Sequence, residues 1–501
     1  MARRKKRVGG SRRKPKPKAK FRSKVDIELV DQLLYRFVAL VKQGLEVMLC
    51  DPSELTQKEF RQNPELAHSS EDIPKLVLWT AVGVHELPLD EFCQHVLTHP
   101  AWAELLGVQR QADLEQLKVD YDHYSMRLIE LAVHDRLKEG DKKDRRAVEQ
   151  RPKVQDEFAE FIGASQVLKL LKKRLRPFLK RLDKLDPKHP PHRPRDYRTR
   201  SFVLGDVLRW MLGLQSTDEL IRKLKQHPSL AGAVNFVPGD IPCKSTFSRR
   251  RMAVPLDDLK AILHELVEVL RRCKVIDGRA WAVDLSRLPT YSSVSKNYPD
   301  RPNGKSDPEA AFCGYPDNDG GLQFGYCLLW VVDFKTELPI ALVFGAGNAQ
   351  DSPLTLPLLK EACTEHPQLA RQCQYFVADG GYDTIDIFNF ILQRLRALPT
   401  ITKNPRNAAD PTADLATDEL CVLRRRSLWY MALFHSRTSV ERTNSWLKLT
   451  FNLKNQKQRG WNEVEHCLLF AAIAMLGVAW VAVKTGHPDK IRSARTWISC
   501  T

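Results

Sequence analysis

A chain of 501 residues with 43% apolar content has the material for a large buried core and about two to four domains, which excludes wholesale disorder. Its net charge of +18 is uneven: residues 1–24 carry thirteen Lys and Arg and no acid, residues 166–200 carry thirteen against three Asp, and the remainder is slightly acidic. Basic segments on such a body point to a polyanion partner.

Residues 1–24, with Pro15 and Pro17, read as a disordered basic arm, and no apolar run follows to make a secretory signal. From 25 to 182 the pattern is helical, with apolar residues at three- and four-residue intervals in IELVDQLLYRFVALVKQGLEVML and FIGASQVLKLLKKRLRPFLKRL. Residues 183–200, Pro-rich and basic, make a linker. Residues 201–277 read as a helical unit, with cap-like Ser216-Thr217-Asp218 and Ser245-Thr246, ending near Arg249, Arg250 and Arg251. Such a unit could lay a helix against DNA, with Arg249 and Arg250 as DNA-binding residues, or equally serve as a structural spacer. Asp90-Glu91-Phe92 to His99-Pro100 is echoed with the same gaps by Asp218-Glu219-Leu220 to His227-Pro228, which suggests two related helical units.

Eleven scattered Cys without a C-x2-C pair indicate reduced thiols, as in the cytoplasm, and no disulfide framework. His95 and His99 stand four apart near Cys93, but no second Cys/His cluster follows at zinc-site spacing, so they read as ordinary helix residues.

Residues 278–484 alternate strands and helices. Strands are expected at Trp281–Leu285, Gly325–Val332, Leu338–Phe344, Gln374–Ala378 and Pro399–Lys403, the second and third forming a hairpin. Residues 287–321 read as a long loop, Leu354–Cys363 and about Thr384–Leu395 as helices, and Asp351-Ser352 as a cap. The apolar run Cys467–Val483 reads as a buried core helix, not a membrane span, and 485–501 as a tail. The expected fold is α/β: a mixed five-stranded sheet with helices, preceded by the helical region.

Asp284 ends the first expected strand and Asp379 the fourth, and carboxyl ends of strands gather at one edge of an α/β sheet. Asp383 and Asp386 read as caps. On the helix after the fifth expected strand, Phe434, Arg437 and Lys448 fall within about 40° of Glu441 at about 100° per residue, while Val440, Leu447 and Phe451 form an apolar stripe. Trp446 reads as core, and His435 as an exposed histidine. Three carboxylates converging in this way suit two divalent ions about 3.5–4 Å apart and phosphoryl transfer on a polyanion.

Those residues resemble the bacterial and archaeal insertion-sequence transposases of the DDE class. The likeness covers about 201–484 and rests on Ala-Val-Asp-Leu around Asp284, Gly347-Asn348-x2-Asp351-Ser352, Ala378-Asp379-Gly380-Gly381-Tyr382-Asp383, the Phe434 to Lys448 stripe, and Ser245-Thr246-Phe247-Ser248-Arg249. A large subgroup carries Tyr-x2-Arg-x3-Glu-x6-Lys, where this chain has Phe434 for the Tyr. The resemblance implies an RNase H-like catalytic domain in which Asp284, Asp379 and Glu441 bind two Mg²⁺ (or Mn²⁺) ions. Phe434, Arg437 and Lys448 would lie at DNA. It further implies cleavage at transposon terminal inverted repeats, strand transfer into target DNA, and a homodimer in the synaptic complex. Two alternatives are a catalytically silent DNA-binding relative and a nuclease of the same fold that cuts without joining.

Overall fold

The computed structural model describes residues 27–85, 89–117, 126–139, 162–184, 186, 197–292, 307–316, 322–402, 433, 437–453 and 457–499. The basic arm, most of the linker, Phe434 and His435 lie outside them.

The N-terminal part is helical, as its periodicity predicts. Helix α1 (Ile27–Cys50) packs against α2 (Ile73–His85), which leads into α3 (Leu89–Thr98) and α4 (Pro100–Leu106). After α5 (Ala164–Arg174) the second helical set is α6 (Thr199–Met211), α7 (Thr217–Gln226), α8 (Pro228–Ala233), α9 (Lys244–Met252) and α10 (Leu256–Arg272).

The sequence echo has a counterpart in the backbone. His99 (φ −122°, ψ 99°) and His227 (φ −124°, ψ 92°) each separate two helices, the second starting on Pro. The same hydrogen bonds recur at the same offsets: Ala103 N to His99 O and Ala231 N to His227 O, Gly107 N to Glu104 O and Asn235 N to Gly232 O, Val108 N to Ala103 O and Phe236 N to Ala231 O. Gly107 and Asn235 take φ of 70° and 64°, the left-handed turn that ends each unit. Phe92, Val96, Trp102 and Val108 are buried, as are Leu220, Leu224, Leu230 and Phe236.

The sheet consists of β1 (Ala280–Pro289), β2 (Ala311–Pro316), β3 (Leu322–Asp333), β4 (Pro339–Ala346), β5 (Tyr375–Ala378) and β6 (Leu398–Ile401). β1 pairs antiparallel with β3 and parallel with β5, and β6 runs parallel beside β5. β4 and β2 both pair antiparallel with β3. All five expected strands are present. The sixth, β2, arises inside the stretch expected to be loop, where AFCGYP gains a partner only because β3 runs past the end of β4. The run Leu328–Val332 is wholly buried, as a central strand covered on both faces must be.

Helix α11 (Asp351–Glu365) packs on β3 and β4, and the short α12 (Ile385–Phe390) continues into a π turn at Ile391–Leu395. Helix α13 (Thr438–Ser445) lies against β1 and β3. Helix α14 (Trp461–Lys484) is the one described helix long and apolar enough to cross a membrane, and 94% of that window is buried inside the protein. It packs against α6, α10 and β4, so its apolar residues on all sides join the helical part to the sheet.

Candidate functional site

β1 and β5 are in register at Ala282 and Val377, so Asp284 and Asp379 stand two residues further on at the same level of two parallel neighbours. Asp284 does not end its strand, as the apolar run alone suggested. β1 continues to Pro289 along β3 only, and Asp284 marks the point where its other neighbour, β5, stops. There its side chain reaches solvent between covered strand and open edge. Asp379 leaves β5 as the cap of the turn Gly380–Tyr382, its carboxylate accepting the Gly381 N–H at 2.8 Å.

Helix α13 brings the third carboxylate. Thr443 Oγ1 donates to the Glu337 carbonyl at 2.8 Å and Arg442 Nε to Glu337 Oε1 at 2.7 Å, which fastens the helix to the β3–β4 turn. Val440, Leu447 and Phe451 are buried beneath it. Glu441 is exposed, Arg437 donates to it at 2.5 Å, and the same guanidinium lies 3.8 Å from Asp284 Oδ1. Asn444, one turn on, donates from Nδ2 to Asp284 Oδ2 at 3.0 Å.

The three acids feel one another. Burial, with the Asp379 and Glu441 carboxylates adding to it and Arg437 opposing, pushes the Asp284 carboxyl up to about 7. A fourth acid joins them. Asp351 is the first residue of α11 and not its cap, which is Gln350. A Cβ on Gly381 would stand 2.7 Å from Asp351 Oδ2 and 3.0 Å from Asp379 Oδ1, so the two carboxylates close over a position that only glycine fits. Burial, and then Asp379, raise the Asp351 carboxyl, while Arg287 works the other way. Arg287 also donates to the Gly347 and Ala349 carbonyls, fixing the turn ahead of Asp351. The Tyr382 hydroxyl is buried without a hydrogen-bond partner and is raised by burial and by Asp284, Asp351 and Asp379. Asp351, Tyr382, Asn444 and Arg287 were not singled out as site residues; Asp351 and Tyr382 lie in motifs that carried the resemblance, but only the fold turns them inward.

The remaining expected residues are placed as follows. Lys448 lies half-buried on a π turn, Trp446–Thr450, that continues the helix. Trp446 is buried, edge-on to Phe451 at 5.3 Å. Arg249 is exposed, whereas Arg250 lies 3.5 Å from Asp186 and over the Phe202 ring. Arg251 is buried, with Nε and Nη2 donating to Asp206 at 2.9 and 2.8 Å, and so holds α9 to α6. Asp383 is buried after the Gly380–Tyr382 turn, and Asp386 falls in the first turn of α12.

At the other end of β5 from Asp379 lies a cleft of about 1100 Å³ where β1, β5 and β6 begin. Its lining includes Arg36, Lys274, Lys335, Arg371, Arg394 and Arg396, with Arg271, Arg272 and Arg279 beside them. Glu268, Glu265 and Asp277 pair with the last three, which still leaves strong positive charge.

The carboxylate edge offers only oxygen donors, the set preferred by hard divalent cations, and the mutual repulsion of its acids is what such an ion would relieve. Residues 272–476, which contain Asp284, Asp351, Asp379 and Glu441, match the family described as Transposase DDE domain. No curated protein and no solved structure matches the chain. Residues 272–476 therefore carry a DDE-class transposase domain.

Proposed function

We propose that the protein is a DNA transposase that cuts DNA at the ends of an insertion sequence and joins them to target DNA by two-metal phosphoryl transfer. The domain is taken as RNase H-like, of the subgroup with an Arg-x3-Glu-x6-Lys signature in which Phe434 stands for Tyr. The observation that carries the reading is the meeting of Asp284, Asp379 and Glu441 in one field, from two adjacent strands and a helix distant in sequence. These three would hold two Mg²⁺ (or Mn²⁺) ions. Bound there, the ions would activate the attacking oxygen and stabilise the leaving one.

The chain's own residues supply position and charge. Asn444 holds one Asp284 oxygen and turns the other toward the site. Arg437 sits between Asp284 and Glu441, where it can trade a carboxylate for a phosphate. Arg249, Arg250 and Lys448 would contact the DNA backbone, and the basic arm would add counterion release. The partners are terminal inverted repeats and target DNA in a homodimeric complex, and the setting is a prokaryotic cytoplasm.

An assay with Mg²⁺ on DNA carrying the element's ends tests this. Joined products from the wild type, lost in Asp284→Asn and Glu441→Gln, are expected. Equal behaviour of wild type and Asp284→Asn would mean a silent DNA-binding protein, and cutting without joining would mean a nuclease.

A further inference from the structure

We propose that Asp31, His85 and His95 form a binding site for one divalent transition-metal ion of the Zn²⁺ class, in the N-terminal helices and apart from the carboxylate edge. The three come from α1, α2 and α3, so no spacing in the sequence announces them; His95 was paired there with His99 instead. His95 Nε2 lies 3.4 Å and His85 Nε2 3.8 Å from Asp31 Oδ1, and the three ligand atoms all lie within 4.8 Å of one another.

These separations suit an ion. A typical N–H···O bond places its heavy atoms about 2.7–3.2 Å apart, so His95 and His85 make only long contacts with the Asp31 carboxylate. Ligands held about 2.0–2.1 Å from a tetrahedral ion stand about 3.3–3.4 Å from one another, which the His95–Asp31 pair matches at 3.4 Å and the His85–Asp31 pair exceeds at 3.8 Å.

The surroundings orient the ligands. Trp102 Nε1 donates toward both Asp31 oxygens at 3.3 and 3.4 Å, as an outer partner of a ligating carboxylate does. Phe92 and Trp102 pack against the His85 ring at 5.0 and 4.9 Å. His99 stacks on His95 at 4.0 Å and turns its Nδ1 to Thr98 Oγ1 and the His95 carbonyl, which removes it from the ligand set.

The second helical unit provides an internal comparison. In the shared register, His85 and His95 correspond to Gly213 and Lys223, neither of which is a ligand. The cluster is therefore peculiar to the first unit and not a by-product of its local fold. Two imidazoles and one carboxylate favour Zn²⁺ over Mg²⁺ and leave a fourth position for water. The ion would clip α1 to α2 and α3.

The test is Zn²⁺ stoichiometry in the full chain, stripped of metal and dialysed against micromolar Zn²⁺ in excess Mg²⁺. One tightly bound Zn²⁺ that raises the Tm is expected, and it should persist in Glu441→Gln, which alters only the carboxylate edge. His95→Gln should weaken it more than about 100-fold. Asp31→Asn, which keeps shape and an acceptor for Trp102, should do the same and guards against a folding artefact. With Co²⁺ in place of Zn²⁺, the visible absorption of a nitrogen-ligated ion should appear in the wild type and be absent from both variants. No bound Zn²⁺ in the wild type, or equal binding in both variants, overturns the proposal.

Discussion

The carboxylates at the edge of the sheet differ from two that are fully buried, Asp307 and Asp333. Asp307 is fully buried and accepts from Thr290, from Tyr326, from Ser292 Oγ at 2.7 Å and from the Gly460 N–H at 2.6 Å. Asp333, also buried, accepts from the Gly278 and Thr336 N–H groups at 3.0 Å each and from Thr336 Oγ1 at 2.7 Å. Asp284 has one side-chain donor, Asn444, one guanidinium at 3.8 Å and two carboxylate neighbours. Carboxylates that serve the fold are saturated with donors. Those proposed to hold metal meet fewer donors in this structure.

The sharpest way to break this contrast is to neutralise each kind. Asp379→Asn should lower strand cleavage by at least about 10³-fold, some 4 kcal/mol of barrier, while leaving the fold intact. An unfolded variant would place Asp379 with Asp307. Asp307→Ala should instead destabilise the protein by about 3–5 kcal/mol in denaturant unfolding, because four donors, two of them buried, lose their acceptor. A loss under about 1 kcal/mol would remove the distinction.

Asp284→Asn should go the other way and stabilise the metal-free protein by about 1–3 kcal/mol at pH 8. The sign follows from the direction of the shift. A folded value raised to about 7, above the ordinary carboxylate range, makes the ionised form a cost that is complete above pH 7. The gain should shrink as pH falls through that value and vanish below the unfolded one. Thermal melts of the two proteins across pH show it, and a gain independent of pH would contradict it.

His366 supplies a reversed case. Buried and facing His264 Nδ1 at 2.9 Å, it is pushed down to about 3, so it stays neutral while the unfolded chain takes up a proton below about 6.5. Stability should fall on acidification, by about 2 kcal/mol at pH 5 from this group, and His366→Leu should flatten that part of the profile.

The smallest effect concerns the basic cleft. Lys335→Ala with Arg371→Ala should reduce the slope of log affinity against log salt by about two for DNA, with Tm unchanged. An unchanged slope would mean that the cleft faces no DNA.

The five strands were readable because β-branched and aromatic runs bounded by turns can form little else, and the burial of Val440, Leu447 and Phe451 followed from helical spacing. β2 was not readable, since its six residues become a strand only through the overhang of β3. The π turn Trp446–Thr450 leaves no mark on the pattern of residue types.

Asp284, Asp379 and Glu441 could be proposed from the sequence because each belongs to a local motif at the end or on the face of an element. Asp351 closing over Gly381, Asn444 donating to Asp284, and Asp31 arriving between His85 and His95 came from tertiary structure alone. Local patterns determine the period of an element and which face is apolar, because those depend on neighbours three or four residues away. Which side chains from distant elements meet depends on how helices and sheet pack, and that is decided by the core as a whole.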